Sequence, residues 1–132
     1  MQLAATRIIT DDVDRLVDFY ERITDLKAVR LHPLFAELRT ASATLAIASS
    51  ATVPLLGENA AEAGANRSVM LDFLVEDVDH SASSLRSVVT EFVSGPADMP
   101  WGNRSLLFRD PDGNLINFFS PLDADARSRF ER

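Results

Sequence analysis

Arg7 and Asp72 are charges set inside otherwise apolar stretches, LAATRII and SVMLDFLV. An isolated charge among apolar neighbours is costly, whereas one that is paired is tolerated. Two chemistries follow: a structural ion pair between them, or Arg7 meeting a ligand carboxylate and Asp72 a ligand cation. The two histidines, His32 before a proline and His80 near an acidic helix start, read as solvated surface residues. Glu37, Asp72 and Glu76 show no spacing that implies a general acid–base pair. The chain has no cysteine, which removes disulfides, thiolate catalysis and Cys-ligated metals. No nucleophile elbow, phosphate loop, dinucleotide fingerprint or zinc spacing is present, so no residue is singled out as catalytic.

The elements that must position these residues are short. Residues 3–9 read as a strand, followed by Asp11 and Asp12, good helix N-caps. Val13, Leu16, Val17, Tyr20 and Ile23 form one apolar helical stripe, and Asp18 and Arg22 can pair on its wet face. Segments 26–31, 35–39 and 44–48 read as a three-stranded meander. Residues 49–66 are small, polar and Gly/Ala-rich, a linker. Residues 68–75 then read as a strand with period-2 alternation, and Glu76-Asp77-Val78-Asp79 opens a helix whose stripe is Val78, Ala82, Leu85, Val88 and Val89. A short strand at 92–94 precedes Gly95-Pro96. Two apolar runs, 105–108 and 115–119, flank Asp110-Pro111-Asp112-Gly113-Asn114, a dense turn signal that makes them a hairpin; Arg104 and Asp110, at its flanks, are expected to pair. Residues 123–130 suggest a short C-terminal helix anchored by Phe130.

The chain therefore repeats itself. Asp12-Val13-Asp14 matches Asp77-Val78-Asp79, and the same offset pairs Arg7 with Asp72, Ile8 with Phe73 and Tyr20 with Leu85. The fold class is α+β: two β-α-β-β-β modules, about 1–49 and 67–122, with a linker at 50–66 and a tail at 123–132, in a single domain. At 132 residues and 46% hydrophobic content this is an ordinary globular composition. A net charge of −7 argues against nucleic acid and anionic membranes as partners. No apolar run is long enough to span a bilayer and no basic-then-apolar leader opens the chain, so the expected location is the cytoplasm.

The stretch PWGNRSLLFRDPDGNLINFFSP, residues 100–121, together with this duplication, resembles the vicinal-oxygen-chelate superfamily of glyoxalase, bleomycin-resistance protein and ring-cleaving dioxygenase relatives. The resemblance covers nearly the whole chain. It implies modules whose strands form an open, curved sheet around a cleft, with helices outside, and a homodimer. Alternation then sends Arg7, Met70 and Asp72 toward the cleft. Phe35, Glu37, Asn117 and Phe119 are further cleft candidates. Related antibiotic-binding members stack flat ligands on aromatics, which offers Trp101 that role beside the plainer one of packing anchor. Metal-using members carry His, Gln or Glu at positions that match Ala5, Ile47, Met70 and Asn117 here. None of these is a good ligand for a hard divalent ion, so no metal and no other cofactor is expected. The implied function is metal-independent binding and sequestration of a small molecule, aromatic or cationic. The alternatives are a glyoxalase-like lyase or isomerase, or a dioxygenase-related enzyme, and a scaffold with a filled cleft.

Overall fold

In the computed structural model, which describes residues 1–131, the first helix starts at Asp12. The Asp12 carboxylate accepts the backbone N–H of Arg15, while Asp14 in the first turn and Arg22 in the last suit the two ends of the helix dipole. Helix α1 runs Val13–Thr24 and buries Val13, Leu16, Val17, Phe19, Tyr20 and Ile23. It ends where Asp25 takes a left-handed conformation. The Asp18–Arg22 pair, at 3.9 Å, stays in solvent as expected.

Helix α1 covers one face of a four-stranded sheet in the first module, residues 1–66. Its strands are β1 (Ala5–Thr10), β2 (Val29–His32), β3 (Phe35–Arg39) and β4 (Thr44–Ser49), in the order β1-β4-β3-β2. Strands β1 and β4 are parallel, so they need the long α1-β2-β3 connection; the other pairs are antiparallel. Ala36, Leu38, Leu45 and Ile47 carry the helix-facing core. A fully buried leucine such as Leu38 contributes on the order of 1.5–3 kcal/mol relative to an exposed one. The 50–66 segment holds a 3-10 turn, Ser50–Thr52, and a four-residue helix α2, Val53–Leu56. Only Val53 of α2 is buried, so no apolar stripe announces the helix in the sequence.

The second module, from Arg67 onward, repeats that topology. Strands β5 (Met70–Leu74), β6 (Phe92–Asp98), β7 (Asn103–Arg109) and β8 (Leu115–Pro121) stand in the order β5-β8-β7-β6, again with the outer pair β5 and β8 parallel. Asp77 repeats the cap by accepting the backbone N–H of His80. Helix α3, Val78–Ser84, passes into a 3-10 turn at Leu85–Ser87, and Val78, Leu85 and Val89 are buried from the predicted stripe. Phe108 and Phe118 meet edge-on at 5.1 Å in the core.

The expected 92–94 strand is longer. It continues through Gly95-Pro96 to Asp98, with register shifts on either side of Ser94. Gly95 is required there: its φ is +93°, and a Cβ would stand 2.3 Å from the Ser105 carbonyl oxygen. Beyond β8, helix α4 (Ala124–Ser128) is capped by Asp123, and Phe130 lays its ring on Phe119 at 4.9 Å.

Candidate functional site

Strand register assigns every side chain to a helix-facing or an open face. In the first module β1 pairs Ala5, Arg7 and Ile9 with Thr44, Ala46 and Ala48, and β3 adds Phe35, Glu37 and Arg39 to that open face. Ile47 falls on the other side, 1% exposed against the helix. The cleft position expected at Ile47 therefore belongs to Ala46, which lies opposite Arg7 as Asn117 lies opposite Asp72. Every residue of β4 is at least partly buried, so its pattern carries no period-2 signal from which to choose the face.

The open face of the first module is polar at two points. The Arg7 guanidinium lies over the Phe35 ring, 5.1 Å from its centroid. Glu37 Oε1 accepts two hydrogen bonds from Arg39, one from Nε at 3.0 Å and one from Nη2 at 2.9 Å. Around Arg7 stand alanines.

The matching face of the second module carries Met70, Asp72 and Leu74 beside Leu115, Asn117 and Phe119. Asp72 accepts a hydrogen bond from Asn117 Nδ2 at 3.0 Å. Asn117 Oδ1 is buried and has no partner among the described residues, an acceptor left at a cost of about 1–3 kcal/mol. Met70 and Leu74, two residues either side of Asp72, are exposed. Phe119 is buried beneath Phe130. Arg7 and Asp72 thus each have a partner within their own module: a ring for the cation, an amide for the carboxylate. Trp101 stands at the mouth of the β6–β7 connection with 63% of its surface exposed, and only its carbonyl oxygen is engaged, by Arg129 at 3.4 Å.

A metal of the kind the superfamily uses does not fit this donor set. Ala5, Ala46 and Met70 offer no nitrogen or oxygen, and Asn117 offers one neutral oxygen. Among the described residues no cluster of three or more His, Asp or Glu side chains is placed to hold an ion. The histidines are engaged locally: His32 Nδ1 accepts the Leu34 N–H, and the His80 backbone serves the α3 cap.

Arg104 departs from its expected partner. It reaches across 25 residues to Asp79, through Nε at 3.1 Å and Nη2 at 3.0 Å, and to Asp98 through Nη1 at 2.8 Å. Asp110 instead builds its own turn, accepting the backbone N–H groups of Asp112 and Asn114 and the Asn114 side-chain amide. The hydrogen bonds from Arg104 hold the Asp79 carboxyl below its ordinary value, and Asp79 and Asp98 hold the Arg104 guanidinium above its own. Arg104 and Asp79 line an open groove of about 620 Å³ with Glu76, Asp77 and Ser120 on the helix side of the second sheet. A second groove, about 470 Å³, lies beside Asp11, Ser50, Glu58 and Glu62 in the first module. Both are walled by carboxylates, and neither contains Arg7 or Asp72.

The repeated parallel-edged sheets are found in known proteins. The family model of the Glyoxalase/Bleomycin resistance protein/Dioxygenase superfamily matches residues 2–118. An uncharacterized protein of Bacillus subtilis, YraH, is 29% identical over 92% of this chain and 100% of its own length. A glyoxalase/bleomycin resistance protein/dioxygenase from Nocardioides is similar in structure with a TM-score of 0.76 and 25% identity, over 94% of this chain and 85% of that one. A family enzyme from Burkholderia phytofirmans shares the fold at a TM-score of 0.81 with 17% identity, over 92% of this chain and all of that one. Hairpin, duplication, sheet order and family match agree: the chain belongs to the glyoxalase/bleomycin resistance protein/dioxygenase superfamily.

Proposed function

We propose that this protein binds a small organic molecule on the open sheet faces, without a resident metal ion, and sequesters it rather than converting it. The observation that carries the reading is the residue set where metal-using relatives place their ligands. Alanine, methionine and asparagine stand there, while Arg7 and Asp72 are the charges offered to a ligand. A homodimer in the cytoplasm completes the proposal. Exposed Leu31, Val69, Leu74 and Leu122 support a second copy as a cover for apolar surface, and the lack of cysteine suits a reducing compartment. Net charge −7 supports a small-molecule partner over nucleic acid.

Thermal-shift screening of the purified protein tests this. A ligand at about 100 times its Kd adds about 2.7 kcal/mol of stability, which moves a melting curve by several degrees. The expected result is such a shift with flat or charged organic molecules and none with nickel, zinc, manganese or ferrous ions. A shift with one of those metals, accompanied by metal-dependent lyase, isomerase or ring-cleaving activity, would overturn it in favour of an enzyme. No shift with any organic molecule across a broad library would favour the scaffold.

A further inference from the structure

We infer that the open face of the first module takes a planar organic carboxylate, bound by the Arg7 guanidinium over Phe35; this rests on the small-molecule binding proposed above. Arginine pairing sets Arg7 apart. The other strand arginines all hold carboxylates: Arg30 with Asp14, Arg39 with Glu37, Arg104 with Asp79 and Asp98, and Arg109 with Glu91. Arg7 has no carboxylate and no hydrogen-bond partner among the described residues, only the Phe35 ring. In a chain of net charge −7, that is a cation kept from the many acids available to it.

The ring contact fits this use. A guanidinium lying over an aromatic face keeps its in-plane N–H groups clear, the geometry that receives a carboxylate through two parallel hydrogen bonds. Glu37, in the same cross-strand row, is held by Arg39 through Oε1 and makes no bond to Arg7.

The duplication is asymmetric on this face. By register, Ala5, Ala46 and Ala48 of the first module stand where the second has Met70, Asn117 and Phe119. Each substitution removes bulk beside the central charge. The bulk of the first face sits on β3 instead, where Phe35 stands opposite Ala48 as the small Ser105 stands opposite Phe119. Ala46 and Ala48 are themselves buried, so the flat body of the ligand lies beside exposed Ala5 with its carboxylate at the exposed Arg7 fork.

Benzoate, benzamide and benzylamine, which share a ring and differ in charge, test this when titrated into isotope-labelled wild-type protein and followed by amide chemical shifts. Benzoate is expected to bind at least tenfold, about the scale of one charge-assisted hydrogen-bonded pair, more tightly than benzamide, with shifts on β1, β3 and β4. Arg7→Gln should erase that margin and leave benzamide unchanged, and Arg7→Lys should restore only part of it. Phe35→Leu should weaken benzoate while leaving the melting temperature near wild type. Unchanged benzoate affinity in a folded Arg7→Gln protein would overturn the inference. So would binding of benzamide or benzylamine without preference for benzoate, an outcome that leaves small-molecule binding itself intact. Failure of all three probes together with the broader library would remove both readings.

Discussion

The strand arginines differ in what they hold. On the helix side of the second sheet Arg104 ties Asp79 at the start of α3 to Asp98 at the end of β6. On the open side of the first, Arg7 is left to a ring. The clamp has a pH signature. The Asp79 carboxyl is held below its ordinary value near 3.8, so its contribution is present above that value and is lost as pH falls through the lowered one. Arg104→Ala should therefore lower the melting temperature modestly at neutral pH, and by progressively less in acid, as pH falls through the lowered Asp79 value and the carboxylate is protonated. Melting curves across an acid pH series check this; a loss that stays equal from neutral pH down through the acid range would remove the ion pair as the cause. Salt should shrink the neutral-pH difference, because the groups are largely in solvent. At this scale the sequence exposed Arg7 and Asp72, because a charge inside an apolar strand is visible without a structure. It did not reveal the partners of Arg104. They depend on how α3 lies against β7, and the nearer Asp110 was the wrong choice because its oxygens are consumed by its own turn.

Elements were legible where a one-sided apolar stripe or a dense turn signal marks them. Helix α1 and the hairpin of β7 and β8 stand where their stripe and turn chemistry predict. The hairpin turn is held from one side chain. Asp110 is 5% exposed and accepts two backbone N–H groups and the Asn114 amide, and the Asp110 N–H donates back to the Asn114 carbonyl. Asp110→Ala strands those donors in a buried turn and should cost about 2–3 kcal/mol, read as a lowered denaturation midpoint with an unchanged slope. A loss under about 0.5 kcal/mol would mean the turn is set by Pro111 and Gly113 alone. Legibility failed where neither a one-sided stripe nor turn chemistry marks the element. Strand β4 alternates small and large residues that are all shielded, which hid its register and put Ile47 on the wrong side. Helix α2 buries one residue, too few to make a pattern. Strand β6 passes through Gly95-Pro96, a pair that reads as a strand end unless the close approach of Ser105 is known.

At the scale of the whole molecule, one β-α-β-β-β plan is used twice with different contents. Both sheets keep a parallel outer pair and a capped helix, and these constraints preserved the recognisable family pattern. The open faces carry no such constraint, and there the modules diverge: alanines around an arginine in one, larger side chains around an aspartate in the other. Ala5, Ala46, Met70 and Asn117 stand on these diverged faces, and none of their side chains is a good ligand for a hard cation. Native mass spectrometry of freshly purified protein tests the central claim most directly. The expected spectrum is a dimer without metal, carrying a small organic adduct that is lost on mild activation. A stoichiometric metal ion per site, removed by chelation together with a measurable turnover, would contradict it.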